Sequence, residues 1–241
     1  MMKKIVLALA VLTFTLQAKE VYATFNVEAD KSANLAFIST GIVKKVNVEI
    51  GSIVKKEDIL SELKNEDLKA MLDLSRTSFK YAKKDLERQK KVKKLIDEGK
   101  FDAVLNKYES AKDSLVYQQL LYEKTFLKAP FDGVVYDKEI EIGDAVSGQA
   151  LRTVIKIQSI SARKLILEFD QKYHKVVKVG QVFNYRLDGD EQKYTGVISK
   201  VYPYANTKTR KIKAELITKD LTVGLFGDGH ILIDDNSSKK E

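Results

Sequence analysis

The chain contains no cysteine and no tryptophan, and only two prolines, two histidines and twelve glycines among 241 residues. Without cysteine there can be no disulfide, no thiolate metal site, no cysteine nucleophile and no lipidated bacterial N-terminus. His174 and His230 stand far apart, which speaks against a histidine-rich metal site. A glycine-rich phosphate loop, a nucleophile elbow and a paired-carboxylate context are missing as well, so no enzymatic activity is expected. An apolar fraction of 44% is enough for packed cores, and a charged fraction of 32% keeps the chain soluble without making it a disordered polyelectrolyte. The length leaves room for one large domain or two to three small ones. The formal charge of +8 allows nucleic acid, anionic lipid or acidic protein as partner and selects none of them.

Long apolar runs are scarce too. The one at the N-terminus, Ile5–Ala18, follows Lys3 and Lys4 and ends on a small residue, the pattern of a secretory signal peptide over residues 1–18. It is short for a membrane span. An uncleaved N-terminal anchor is the alternative, since Leu16 is not the best residue three positions before the cut. Export without cysteine suggests the periplasm of a Gram-negative cell, with the mature chain soluble or peripheral to the membrane.

Glycine and proline divide the rest of the chain. Between Gly51 and Gly133 only Gly99 and Pro130 interrupt a stretch rich in Lys, Glu, Leu and Ala, which predicts helix. Leu68, Leu72, Ser75, Phe79, Ala82 and Leu86 repeat at alternating spacings of four and three. Val104, Tyr108, Ala111, Leu115, Gln118 and Tyr122 do the same. These are the seams of two coiled-coil helices, predicted over 65–98 and 102–126, with Gly99 between them and Asp102 placed to N-cap the second. A compact helical bundle is the alternative, although a globular helix usually shows a wider apolar face.

On either side of the helices lies an internal repeat. Gly41–Leu60 aligns without a gap on Gly133–Arg152 at an offset of 92 residues, with six identities in twenty positions. Average composition would give about one. Gly41, Gly51, Gly133 and Gly143 are the structural glycines of the two copies. Each copy reads as strand, turn at its second glycine, and strand. Neither can bury its apolar face alone, so the two must pack on each other, with the hairpin inserted between them.

Split half-motifs of the biotinyl/lipoyl type around a helical hairpin resemble the periplasmic adaptor subunits, or membrane fusion proteins, of bacterial tripartite efflux pumps. Leu127–Val146 is similar to that family's APFDG segment. Val177–Gln181, Tyr194–Pro203, Thr207–Leu216 and Leu221–Ile231 resemble its β-barrel domain. The chain departs from the family pattern in carrying Val223-Gly224-Leu225 where Pro-Gly-Met is usual. Only eight residues follow Ile233, so the membrane-proximal domain of many members is expected to be absent. The expected fold is mainly β and elongated: a split biotinyl/lipoyl-like sandwich with an inserted antiparallel coiled-coil hairpin, plus a β-barrel domain. The expected boundaries are a signal at 1–18, the first barrel strand at 19–33, sandwich halves at 34–64 and 127–160 flanking the hairpin at 65–126, the barrel at 161–235 and a disordered tail at 236–241.

The resemblance also implies where function lies. In the family, a basic residue, a leucine four later and a serine seven beyond mark the hairpin tip that meets an outer-membrane channel. Lys91, Leu95 and Asp102 occupy that pattern, with lysine for arginine and aspartate for serine; an ordinary capped turn is the alternative. Lys80–Lys94 holds eight basic and two acidic residues. It lacks the interleaved aromatics of a nucleic-acid site and reads as a solvated face or as a contact with a neighbouring protomer or the channel. Arg210 matches a basic residue of the family's barrel and is read as structural. No Met-Lys-Met turn is present, so no covalent lipoyl or biotinyl cofactor is expected. Met71, the one methionine after the signal, reads as part of the helix seam, which argues against copper or silver handling. The partners implied are an inner-membrane transporter, an outer-membrane channel and further copies of the chain in a ring, hexameric in the assembled pump. A proton-driven resistance-nodulation-division transporter leads. An ATP-driven exporter or type I secretion system, and a periplasmic structural protein without a transport role, are the alternatives.

Overall fold

The computed structural model describes residues 19–92 and 97–233. The signal segment, Leu95 and the tail at 236–241 therefore lie outside the described residues. The chain forms two compact units, one of Asp30–Ile160 and one made from the segments on either side of it.

β1 (Lys19–Ala29) belongs to the second of these units. The inner unit then runs through β2 (Ser32–Leu35), β3 (Gly41–Val46), β4 (Ile53–Val54), β5 (Ile59–Leu63), α1 (Glu66–Lys91), α2 (Glu98–Glu123), β6 (Phe126–Lys128), β7 (Gly133–Lys138), β8 (Ala145–Val146) and β9 (Ile155–Gln158). The outer unit resumes with β10 (Arg163–Asp170), β11 (Val182–Leu187), β12 (Tyr194–Val197), β13 (Lys200–Ala205), β14 (Lys211–Thr218) and β15 (Phe226–Ile233).

The inner unit is a sandwich of two four-stranded sheets, ordered β2-β9-β7-β4 and β6-β5-β3-β8. Each sheet takes two strands from either side of the hairpin, so the two halves interleave. The 92-residue offset is a pseudo-two-fold axis in the hydrogen bonding. Gly41 pairs with Val146 and Val54 with Gly133, while Ile42 pairs with Ala145 and Ile53 with Val134. Gly51 N donates to Val135 O and Gly143 N to Val43 O, at 2.8 and 2.9 Å. Gly51 and Gly143 have φ of +90° and +96°, the left-handed region that only glycine enters at no cost. Val43, Leu60, Leu63, Val135, Ile155 and Ile157 fill the space between the sheets.

The outer unit is one seven-stranded antiparallel sheet, ordered β12-β11-β15-β1-β10-β14-β13. Its two edge strands are consecutive in the chain. Between them, Ile198 N donates to Gln181 O and Ser199 N to Glu215 O, at 2.9 and 2.8 Å. A single bent run thus leaves β11 and joins β14, and the sheet closes on itself as a barrel with no free edge. Alternation along β1 turns Val21, Ala23, Phe25 and Val27 inward. Phe25 meets Phe183 and Tyr185 edge-on, with centroids 5.9 and 5.2 Å apart.

Several boundaries differ from those predicted. The first barrel strand ends at Ala29 rather than at 33, because Ser32–Leu35 already pairs with β9 in the sandwich. Reciprocal bonds hold that crossover: Lys31 N donates to Ser159 Oγ, and Ser159 N to Lys31 O. The first helix stops at Lys91 and the second begins at Glu98. Gly99 lies inside the first turn of α2 instead of between the helices. The N-cap is Asp97, whose side chain accepts from Lys100 N at 3.2 Å, and Asp102 sits in the second turn. A cap must lie outside the helical run so that its side chain can reach a free first-turn N–H, and Asp102 is already within that run.

Candidate partner-binding site

The hairpin projects from the sandwich through a pinned root. Asn65 and Thr125 are both buried, and Asn65 Nδ2 donates to Thr125 Oγ1 at 3.0 Å. Leu63 N donates to Thr125 O, and Thr125 Oγ1 to Tyr122 O at 2.6 Å. Asn65 precedes α1 but makes no side-chain cap; its amide ties the entering strand to the returning one. Lys44 Nζ reaches Glu66 at 2.9 Å at the start of α1, and that hydrogen bond raises the lysine pKa and lowers that of the carboxyl.

Beyond the root the predicted seams face each other. Leu72, Ala82 and Leu86 are buried, and the remaining seam positions on both helices are half-buried. Phe79 and Tyr108 lie 5.5 Å apart between centroids, which fixes the antiparallel register. Phe101 extends the second seam by one step toward the tip and is buried. Its spacing of three residues before Val104 was the available signal. Met71 is off the seam and half-exposed. It belongs with Leu74 and Tyr81 to a second apolar stripe on α1, and Val116, Tyr117 and Leu120 are exposed large apolar residues of α2.

At the tip, Lys91 is the last residue of α1 and Asp102 lies in the second turn of α2, both exposed. Leu95 falls outside the described residues. Extending the Phe79–Tyr108 register puts Asp102 level with Asp85, roughly 9 Å along the axis from Lys91. The two side chains therefore present separate contact points, one cationic and one acidic, and no bond between them is found among the described residues. Lys80, Lys83, Lys84, Arg88 and Lys90 are all exposed on α1 behind Lys91, and Arg88 pairs with Asp85 at 3.1 Å.

At the opposite end of the unit, a cluster without a counterpart in sequence reasoning joins the two repeats. Lys138 Nζ lies 2.6 Å from Glu141 Oε1 and 3.3 Å from Glu49 Oε2, with its side chain buried. Glu49 and Glu141 are equivalent positions of the two copies, whereas the equivalent of Lys138 is Val46. One lysine thus closes both turns. The hydrogen bond to Glu141 raises its pKa. A raised lysine pKa means that the contribution is complete at neutral pH and fades as pH climbs through the folded-state value. Lys138→Met should therefore lower the melting temperature at pH 7, by leaving two carboxylates face to face. The gap to wild type should close in strongly alkaline buffer. A gap that stays constant across a thermal-melt pH series would assign the loss to packing instead.

Arg210 stands in the loop between β13 and β14 with φ of +56°. Its N–H donates to Asn206 O at 2.7 Å and its carbonyl accepts from Gln171 N at 3.0 Å. These backbone bonds tie two loops of the barrel together, while the side chain is exposed.

Among the described residues there is no group of three or more His, Asp or Glu side chains placed to hold a metal ion, and no helix is long and apolar enough to cross a membrane. The geometry offers protein-contact surfaces: a projecting hairpin with a charged end, and apolar flanks.

The family model of the CzcB-like, barrel-sandwich hybrid domain matches residues 31–157. The cobalt-zinc-cadmium resistance protein CzcB of Cupriavidus metallidurans is 26% identical over 210 residues, covering 78% of this chain and 39% of that protein. The chain therefore spans about two fifths of the length of this curated relative. Among solved structures, a MacA-MexA chimeric protein containing the Pseudomonas aeruginosa MexA α-hairpin domain has a TM-score of 0.82 at 22% identity, over 90% of this chain and 83% of the other. ZneB from Cupriavidus metallidurans has a TM-score of 0.60 at 18% identity, over 90% and 71%. At these identities the structural likenesses establish the fold.

Proposed function

The chain belongs to the CzcB-like barrel-sandwich hybrid family of membrane fusion proteins, and from that premise we propose that it is a periplasmic adaptor linking an inner-membrane transporter to an outer-membrane channel for the efflux of toxic compounds. The observation that carries this reading is the hairpin itself. Two helices of 26 residues leave a sandwich through one pinned root and end in exposed charged residues. Such a hairpin is a reach toward a partner. The adaptor acts through contacts that hold the channel open, catalyses nothing, and draws its energy from the transporter.

Further copies pack beside it in a ring. The apolar stripe of Met71, Leu74 and Tyr81 on α1 and the exposed Val116, Tyr117 and Leu120 on α2 support this, because neither is covered within one chain. The transporter is proposed to be of the proton-driven resistance-nodulation-division type. As for cargo, the name of the curated relative supports metal cations over drugs. Selection of that cargo is assigned to the transporter, which is the partner that supplies the energy.

The test is position-specific crosslinking, which the absence of native cysteine makes clean. Single cysteines at Asp102 and in the barrel are crosslinked in cells, and the captured proteins are identified by mass spectrometry. A channel protein captured from the tip and a multi-span transporter from the barrel are expected, the transporter's sequence distinguishing proton-driven from ATP-driven. Capture of neither, in cells expressing both, would withdraw the efflux function and favour a structural protein of the periplasm.

A further inference from the structure

The hairpin carries a second seam beside the first. Met71, Leu74, Ser78, Tyr81 and Asp85 each immediately precede a seam residue of α1, so they keep its alternating spacing of three and four. The first four are exposed, and Asp85, half-buried, pairs with Arg88 at 3.1 Å. On α2 the residues that immediately precede the seam are Ala103, Lys107, Ser110, Ser114, Tyr117 and Leu121, with Lys100 before Phe101. Antiparallel helices with facing seams turn their preceding residues to the same side. Both rows therefore lie on one face of the hairpin, centred about 100° around each helix from the seam that joins them.

The two rows fit each other. The Phe79–Tyr108 register, which also levels Leu72 with Leu115 and Leu86 with Phe101, sets their heights. Leu74 falls between Tyr117 and Ser110, and Tyr81 between Ser110 and Ala103, so large side chains of α1 meet small ones of α2. Met71 falls between Leu121 and Ser114, and Ser78 between Ser114 and Lys107. Asp85 falls between Lys107 and Lys100, a carboxylate between two cations. Asp67 and Arg88 end the α1 row at root and tip. Within one hairpin the rows stand side by side and cannot interdigitate, so the α2 row that meets α1 belongs to a second copy. The other side of the hairpin lacks this fit. Arg76 and Lys112, each just after a seam residue, stand level there and would face each other as like charges.

We propose that two copies of this chain pair through these faces as a four-helix bundle with both tips at one end, the α1 row of each against the α2 row of the other. A helix with seams about 100° apart has neighbours on two adjacent sides, which is the corner of a four-helix bundle. A wide ring of helices would set the seams on nearly opposite sides instead. Rotation about a two-fold axis along the hairpins keeps every height, so the same fit is made twice. The inference deepens the proposed packing of further copies, on which it rests, and makes the pair the unit from which a ring is built.

The experiment is disulfide trapping in the full chain, which has no native cysteine. Leu74 and Ser114 are level, and the two-fold brings each beside the other residue of the second copy. Mild oxidation of the Leu74→Cys, Ser114→Cys variant should give a covalent dimer and nothing larger, because an isologous pair closes on itself. Lys80→Cys with Glu109→Cys, on the opposite side, should stay monomeric. A ladder of larger species would overturn the two-fold pairing, and a monomer from the first variant or a dimer from the second would overturn the choice of face. Sedimentation of the cysteine-free chain should show a concentration-dependent dimer. Leu74→Glu with Tyr81→Glu should weaken it about a hundredfold with helicity unchanged, and Lys80→Glu with Lys83→Glu should leave it intact. Should the first of these variants lose helicity, Leu74→Ser with Tyr81→Ser is read in its place. A dimer indifferent to the apolar row would overturn the proposal. None of these readouts needs transporter or channel, so failure here leaves capture from Asp102 untouched, and failure to capture either partner leaves the pair standing.

Discussion

Gly133→Ala is expected to melt the sandwich at a temperature roughly 10 °C lower than wild type, through a loss of about 3 kcal/mol. A Cβ at Gly133 would stand 2.5 Å from Gln158 O and 3.1 Å from its carbonyl carbon. Those are backbone atoms of β9, held in the ladder with β7 by Val134 opposite Gln158 and Val135 opposite Ile157. Relief of the clash must break that ladder. The symmetry mate Gly41 is different. A Cβ there meets Leu63 Cδ1 at 3.2 Å, the mobile end of a side chain. The reason lies in the repeat. Residue 158 minus the 92-residue offset is Glu66, where the chain has already turned into α1, so no strand backbone stands over Gly41. Gly41→Ala should remain within about 1 kcal/mol of wild type. Calorimetry of both variants tests the pair, and equal losses would show that the asymmetry does not arise from β9.

The repeat is legible in the sequence because an offset preserves everything that depends on local pattern: turn glycines, inward valines and strand lengths. The helix seams are legible for the same reason, since a spacing of four and three survives any tertiary context. The start of α2 is not. Gly99 reads as a breaker, yet glycine inside a helix costs only about 1 kcal/mol, and burial of Phe101 on the seam favours a helix that begins before it. Met71 reads as a seam residue because Leu68 and Leu72, which do lie on the seam, bracket it within one turn of the helix. The Lys138 clamp has no local signature at all. It depends on two turns 92 residues apart converging on a lysine that breaks the repeat's own symmetry. Barrel closure has no local signature either, because it depends on which strands the two parts of the bent run pair with, β12 with β11 and β13 with β14.

Replacing Leu95 and Asp102 together, with alanine and arginine, is expected to abolish efflux while leaving the fold intact. The fold survives on local grounds. Asp102 is exposed in the second turn of α2, does not cap the helix, and lies off the Phe101 and Val104 side of the seam. Arginine is also a better helix former than aspartate. The cap belongs to Asp97, so the helix start survives the change. Function is lost for a geometric reason. If the tip meets the channel, Lys91 and Asp102 contact it at two levels of the hairpin, and reversing one charge sets like charges against the group that Asp102 engaged. Complementation of a deletion strain reads the result as sensitivity to the exported compound. Sensitivity equal to that of the deletion strain, with normal protein levels and helicity, supports the tip as the channel contact. Wild-type tolerance would return Lys91, Leu95 and Asp102 to the role of an ordinary turn. The basic face from Lys80 to Lys90, which leads toward the same end, would then be the surface to reverse next.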